Sequence, residues 1–323
     1  TRDTRMDLLT LRPRLERIIE EIETVIVGKR PIIERALVAL CANGHLLVED
    51  VPGTGKTMLA RSIARCIDGE FRRVQFTPDL LPSDITGTSI FNQKTQEFDF
   101  HPGPVFANVV LADEINRATP KTQSSLLEAM EEFQVTVDGV SRRLPRPFFV
   151  IATQNSVEYQ GTFPLPESQL DRFVMRLSMG YPSPREEVAI LGRQVHGHPI
   201  ENVRPVISGE EVQEAQQLVR TVSVSEPVRE YIVDLVTATR ESSQLVLGSS
   251  MRGSLDLLHC SQALAALRGR DHVIPDDVKE LAEAVLAHRL ITHPETRMRK
   301  IDAGQVVRDL LRQVPIPMVA AAV

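Results

Sequence analysis

The stretch His45-Leu-Leu-Val-Glu-Asp-Val-Pro-Gly-Thr-Gly-Lys-Thr57 decides how this chain is read. An apolar strand over 45–49 runs into a loop carrying Gly53 and Gly55. The loop ends in Gly-Lys-Thr at the head of a helix, marked by Leu59, Ile63 and Ile67 at helical spacing. Such a loop points backbone N–H groups and a helix N-terminus at one spot, where a polyphosphate can sit. Val51, Pro52, Gly53, Thr54 and Gly55 would wrap the phosphates. Lys56 would reach the β- and γ-phosphates, and the Thr57 hydroxyl would hold Mg²⁺. The full phosphate-loop pattern asks for glycine where this chain has Asp50, but the residues that touch phosphate are all present. The competing reading is a chance Gly-Lys-Thr on a surface turn. The strand before it and the helix after it argue against that.

A second strand completes the site. Val109-Val-Leu-Ala-Asp-Glu114 is an apolar run that delivers two acids at its C-terminal end, where open parallel sheets bind ligands. Asp113 would hold Mg²⁺ and Glu114 would polarise an attacking water. A strand ending in solvated acids is the bland alternative, and the loop upstream weighs against it. Ala152-Thr-Gln-Asn155 follows another strand. Its amide would either orient the same water or cap a turn. Asp171-Arg172-Phe173 opens the last strand. From that end of the sheet Arg172 does not easily return to its own phosphate loop, but it could reach a neighbour's nucleotide in a ring; otherwise it pairs with Asp171. Arg252, at a helix start, is expected to contact its own chain's γ-phosphate or to be an exposed helix-terminal arginine. Arg117 is a further candidate for contact with an adjacent subunit.

Around these motifs strands and helices alternate, which implies a mostly parallel sheet covered on both faces. The first helix is expected over 14–25 with Pro13 in its first turn, and the second from Pro31. Strands are expected over 73–77, 148–152 and 173–177. Thr119 and Pro120 read as the start of a helix. Two segments interrupt the alternation. Residues 82–104 read as a projecting hairpin turning at 92–96. Residues 134–143 alternate Val135, Val137 and Val140 around Asp138-Gly139, a hairpin signal. After Tyr181-Pro-Ser-Pro184 strand signals nearly vanish. Helices are marked by Val228, Ile232, Leu235 and Val236, by Leu255, Leu258, Leu264 and Leu267 up to Gly269, and by Val278, Leu281 and Val285. Two domains are expected, 1–182 and 183–323. The apolar tail 318–323 reads as either packed or frayed.

Composition excludes some classes. No apolar run approaches the roughly 20 residues that span a bilayer. No signal segment is evident at the N-terminus, so a cytoplasmic setting is expected. Cys41, Cys66 and Cys260 are widely spaced in apolar helical stretches, read as buried thiols rather than metal ligands. The net charge of −6 argues against indiscriminate nucleic-acid binding.

In the order phosphate loop, Leu-Ala-Asp-Glu-Ile-Asn-Arg-Ala, Ala-Thr-Gln-Asn and Leu-Pro-Glu-Ser-Gln-Leu-Asp-Arg-Phe, the chain resembles an AAA+ ATPase of the MoxR family, over about residues 28–290. The resemblance implies an α/β fold: an αβα core with a parallel five-stranded sheet in the order 5-1-4-3-2, plus a small all-helical lid. It implies ATP hydrolysis with Mg²⁺, a hexameric homo-oligomeric ring and nucleotide between subunits. Asn155 would be the first sensor, Arg172 the arginine finger and Arg252 the second sensor, although Met251 stands where the family has proline. Asp50 is similar to what many members show. Ile26, Val27 and Gly28 would cradle adenine. Both hairpins would face the pore or its rim. The implied task is remodelling, assembly or activation of a client complex, with metal or cofactor insertion as one form, beside a partner bearing a von Willebrand factor A domain. The alternative on the same core is a nucleic-acid motor or clamp-loader-like module.

Overall fold

The computed structural model describes residues 6–155, 161–195 and 197–317; the tail 318–323 lies outside the described residues. Helix α1 (Leu8–Glu23) starts earlier than the position of Pro13 suggests. Asp7 accepts from the Thr10 backbone N–H at 2.8 Å while the Thr10 hydroxyl accepts from the Asp7 N–H, so a capping box outweighs the proline, which lies inside the helix. Gly28, at φ +71°, separates α1 from α2 (Arg30–Cys41). That left-handed conformation is one glycine takes freely and a side chain rarely does, and a Cβ there would also displace the Glu186 side chain.

The chain then builds β1 (Leu46–Glu49), α3 (Lys56–Cys66), β2 (Phe71–Gln75), a short α4 (Pro82–Thr86) and the hairpin β3 (Gly87–Asn92) and β4 (Glu97–Pro102). Strand β5 (Val109–Asp113) and α5 (Pro120–Glu132) follow. Next come the second hairpin, β6 (Gln134–Val137) and β7 (Val140–Arg143), then β8 (Phe149–Gln154), α6 (Glu167–Leu170) and β9 (Met175–Leu177). Both hairpins form where the turn residues place them. In the second, Asp138 and Gly139 both take positive φ, the mirror-image turn that matches strand twist.

Five of these strands make one parallel sheet in the order β2-β5-β8-β1-β9. Numbered by chain position that is 5-1-4-3-2 read from the other edge, as the resemblance implies. The unbroken apolar run of β5 is explained by its central place: Val109, Val110, Leu111 and Ala112 are all fully buried, alternating between two cores. Each buried valine or leucine is worth about 1.5–3 kcal/mol against exposure. One face of the sheet shares its core with α1, α2 and α3, the other with α5, Ile85 of α4 and Val135 of the second hairpin.

Beyond β9 the chain is mainly helical: α7 (Pro184–Gln194), α8 (Gly209–Val219), α9 (Glu226–Glu241), α10 (Met251–Leu267), α11 (Pro275–Leu286), α12 (Pro294–Met298) and α13 (Ala303–Gln313). A two-stranded pair, β10 (Leu245–Leu247) with β11 (Ile291–Thr292), was not legible in the sequence. The helix marked by Leu255, Leu258, Leu264 and Leu267 forms as α10; Leu264 and Leu267 are buried beside Leu257 and Cys260, whereas Leu255 is exposed. Helix α10 packs against α1 and α2, so one continuous apolar core joins the helical region to the sheet. All three cysteines are buried and free. Among the described residues no helix is long and apolar enough to cross a membrane.

His45 fastens the N-terminal end of β1. Its Nδ1 accepts from the Val150 N–H and its Nε2 donates to the Met130 carbonyl, both at 3.1 Å, which fixes one neutral tautomer. Burial pushes the imidazole pKa down to about 4. Between the ordinary value near 6.5 and about 4, the unfolded chain binds a proton that the folded ring refuses. Stability from this residue is therefore present above pH 6.5 and lost as pH falls toward 4, by on the order of 3 kcal/mol. Asp256, whose carboxyl is raised to about 6 by burial, acts with the opposite sign. Urea unfolding of the wild type and of His45→Gln at pH 7 and pH 4.5 isolates the histidine: the stability difference between the two chains should shrink at the lower pH.

Candidate functional site

Everything phosphate-directed sits at the C-terminal edge of the sheet. Beyond β1, Gly53 and Gly55 take φ +82° and +93°, turning the chain so that Gly55 caps α3 without any side-chain hydrogen bond. The first-turn N–H groups of α3 therefore have no capping side chain and face the loop, the chemistry an anion needs. The Lys56 ammonium donates to the carbonyls of Asp50 at 3.0 Å and Val51 at 3.2 Å. Backbone and lysine together fit a polyphosphate.

Asp50 shows what replaces the expected glycine. Its carboxylate is buried and accepts from three backbone N–H groups, Val51 at 2.8 Å, Met179 at 2.6 Å and Gly180 at 2.7 Å. It ties the loop entrance to the segment that leaves β9 for the helical region. Such charge-assisted bonds are roughly twice as strong as neutral ones. Beside the loop a cavity of about 140 Å³ is lined by Ile26, Val27, Gly53, Thr54, Gly55, Met58, Pro182 and Ile190. Its apolar walls suit a flat base, where Ile26, Val27 and Gly28 were expected to cradle one.

The acids lie two strands away. Asp113 ends β5; its Oδ1 accepts from the Thr153 hydroxyl at 2.6 Å and its Oδ2 pairs with Arg73 at 2.6 Å. Glu114 sits in the left-handed region at φ 56°, a conformation that costs a non-glycine residue on the order of 1 kcal/mol. Its N–H donates to the Thr153 hydroxyl at 2.9 Å, so one buried threonine orients both acids. The Glu114 carboxylate accepts from Gln75 Nε2 at 2.8 Å and from Arg117 at 3.0 Å. Arg117, considered for a neighbouring subunit, thus reaches its own chain's Glu114. Asn155 follows β8 on the same edge and is buried. Thr57 stands in the first turn of α3. A hydroxyl and a carboxylate are hard oxygen donors suited to Mg²⁺, although Arg73 already holds one oxygen of Asp113.

The arginines lie elsewhere. Arg172 precedes β9 and Arg252 begins α10, and both pair with Glu131 at the end of α5, at 3.1 Å and 2.6 Å. A small cavity there is lined by His45, Glu131, Arg172 and Arg252. His45 precedes β1 and Asp50 follows it, so the strand length, about 13 Å, separates this cluster from the phosphate loop. Arg172 is at the edge expected of it, though it pairs with Glu131 rather than Asp171. Arg252 is not where its own γ-phosphate would be. Helix α10 is held on α1 and α2, and the helical element that borders the loop is α7 instead. Both side chains remain partly exposed, at 29% and 39%.

Several participants left no mark in the sequence. Arg73, Gln75 and Thr153 meet the motif residues only through strand register, as Gln75 opposite Asp113 shows, and Glu131 meets the arginines through the packing of α5. Reading β2 as the neighbour of β5 is the signal that would have found the first two.

Residues 45–175 match the family described as ATPase family associated with various cellular activities (AAA), and 237–310 match the AAA lid domain. The Bacillus subtilis protein YeaC, itself uncharacterised, is 53% identical over 97% of this chain and 98% of its own length. Chaperone MoxR1 of Mycobacterium tuberculosis is 42% identical over 95% of this chain and 83% of its own, and Protein MoxR of Methylorubrum extorquens is 30% identical over 92% of each. The crystal structure of a candidate ATPase from Cytophaga hutchinsonii superposes with a TM-score of 0.89 at 40% identity, covering 96% of this chain and 97% of that one. With its motifs, sheet order and helical lid in agreement, this chain belongs to the MoxR family of AAA+ ATPases.

Proposed function

We propose that this chain hydrolyses ATP at sites shared between adjoining copies of itself in a ring, and that the cycle remodels or activates a client complex. The observation that carries this is the separation of the site into two sheet edges. The phosphate loop, Asp113, Glu114 and Asn155 occupy one edge, and Arg172 with Arg252 the other. A chain whose cations cannot reach its own loop can still offer them to the next copy in a head-to-tail contact, which closes into a ring when the rotation allows. A hexamer is the ring expected of the family.

Lys56 and the loop backbone bind the triphosphate, and Val27 and Gly28 border the base. Glu114 turns a water toward the γ-phosphate, aimed by Gln75 and Thr153, and Asn155 holds the far side. Mg²⁺, held by Thr57 and Asp113, would supply positive charge at the phosphate oxygens. The neighbour's Arg172 spreads charge on the transferring group, a contribution worth about 10³ to 10⁵ in rate in other nucleotide hydrolases. Arg252 joins it from the same copy. The boundary between core and lid falls near residue 182. The exposed Phe91 and Phe98 of the first hairpin are suited to touching a client. A client, a partner with a von Willebrand factor A domain and a cytoplasmic setting are taken from the family reading.

Lys56→Ala should abolish ATP binding in a fluorescent-nucleotide titration, whereas Glu114→Gln should bind normally and lose turnover. Arg172→Ala should be nearly inactive alone. Mixed with Glu114→Gln, it should regain hydrolysis, because its intact loop then meets a neighbour's intact arginine. Absence of that complementation would remove the shared-site reading.

A further inference from the structure

Arg289 ends the 3₁₀ turn Ala287–Arg289 after α11, and none of the groups assigned to phosphate chemistry touches it. Its side chain is only 2% exposed. A simple structural ion pair would need one carboxylate, but Arg289 has a ring of acceptors. Its Nε donates to Asp171 Oδ1 at 2.7 Å. One terminal nitrogen donates to the carbonyls of Phe173 at 2.9 Å and Asp171 at 3.3 Å, and to the Asp256 carboxylate of α10. The other donates to the carbonyls of Val174 at 3.4 Å and Val285. His288 donates to the Phe173 carbonyl at 2.9 Å, and the Ser250 hydroxyl, two residues before Arg252, donates to Asp171 Oδ2 at 3.0 Å. The acceptors therefore bracket one residue. Asp171, Phe173 and Val174 lie on either side of Arg172, in a stretch between the four-residue α6 and the start of β9.

We infer that Arg289 is a positioning residue for Arg172: it fastens the peptide carrying Arg172 to α10 and α11, so that Arg172 and Arg252 are presented to a neighbour as one rigid pair. This rests on the reading that Arg172 acts on an adjoining copy's substrate. Only a planar fork with five donors satisfies carbonyls and carboxylates on three segments at once; an ammonium with three donors on a flexible stem does not. The lid is then not free to swing against the arginine-bearing edge, and the two cations approach a neighbour's phosphates with their spacing already set.

The test is Arg289→Lys, which keeps the buried cation and loses the fork. Alone, it should bind nucleotide with unchanged affinity and lose kcat by on the order of 10²-fold, the scale of a misplaced reacting group. Mixed with Glu114→Gln, it should regain hydrolysis well above either parent, because its own loop and acids are intact. A merely folded-state defect would not be rescued in that way. Unchanged kcat overturns the inference, as does a loss that Glu114→Gln fails to rescue while it does rescue Arg172→Ala. If neither variant is rescued, the shared-site reading itself falls. Should Arg289→Lys not fold, Asp256→Asn, which weakens the same clamp from α10, is required to show the same rescued loss of kcat, and a normal kcat there overturns the inference.

Discussion

A parallel sheet has two chemically different ends, and the rest of this molecule depends on that polarity. All five core strands leave the sheet at the same edge, so every loop that follows a strand collects there. The phosphate loop after β1, the acids after β5, Asn155 after β8 and the Met179–Gly180 turn after β9 are neighbours for this reason alone. The residues that precede strands collect at the other edge. His45, Arg172 and the end of α5 meet there, and α10 brings Arg252 to them. No local adjustment moves a side chain from one edge to the other, because four residues of extended strand, the first three of them buried, stand between.

Each edge is held by its own buried polar group. At the phosphate edge Asp50 gathers three N–H donors and joins the loop to the chain leaving the sheet. At the arginine edge Arg289 gathers carbonyls and two carboxylates. Both are charges whose cost of burial is offset only by several well-placed partners, and losing one partner of such a set typically costs about 3–5 kcal/mol. Charges held this way are rigid, which suits sites that must meet a substrate without rearranging.

The fold was largely legible because its signals are local and strong. The buried run 109–113, the alternation of strand and helix, and Asp138-Gly139 each follow from short-range physics, and each stands where expected. Errors came where two local rules competed. Pro13 pointed to a helix start, but the Asp7 and Thr10 capping box lies one turn further out and the helix accepts the proline inside. In α10 the leucines marked the helix but not which of them pack: Leu264 and Leu267 are buried and Leu255 is exposed, since its first turns mix polar and apolar residues without one clear face.

By itself the sequence determined the chemistry at the phosphate loop and the order of the motifs, since backbone conformation at Gly53 and Gly55 and the placement of Lys56 follow from residues that are adjacent in the chain. It also placed Arg172 before its strand, and hence away from the loop. Only the tertiary structure decided which side chains meet across strands and helices. Thr153 between the two acids, Gln75 on Glu114, Glu131 between two arginines and Arg289 around residue 171 are pairings over tens of residues, set by strand register and helix packing. The placement of Arg252 belongs to the same class: its helix is docked on α1 and α2 by apolar contacts formed nowhere near the motif that suggested its role.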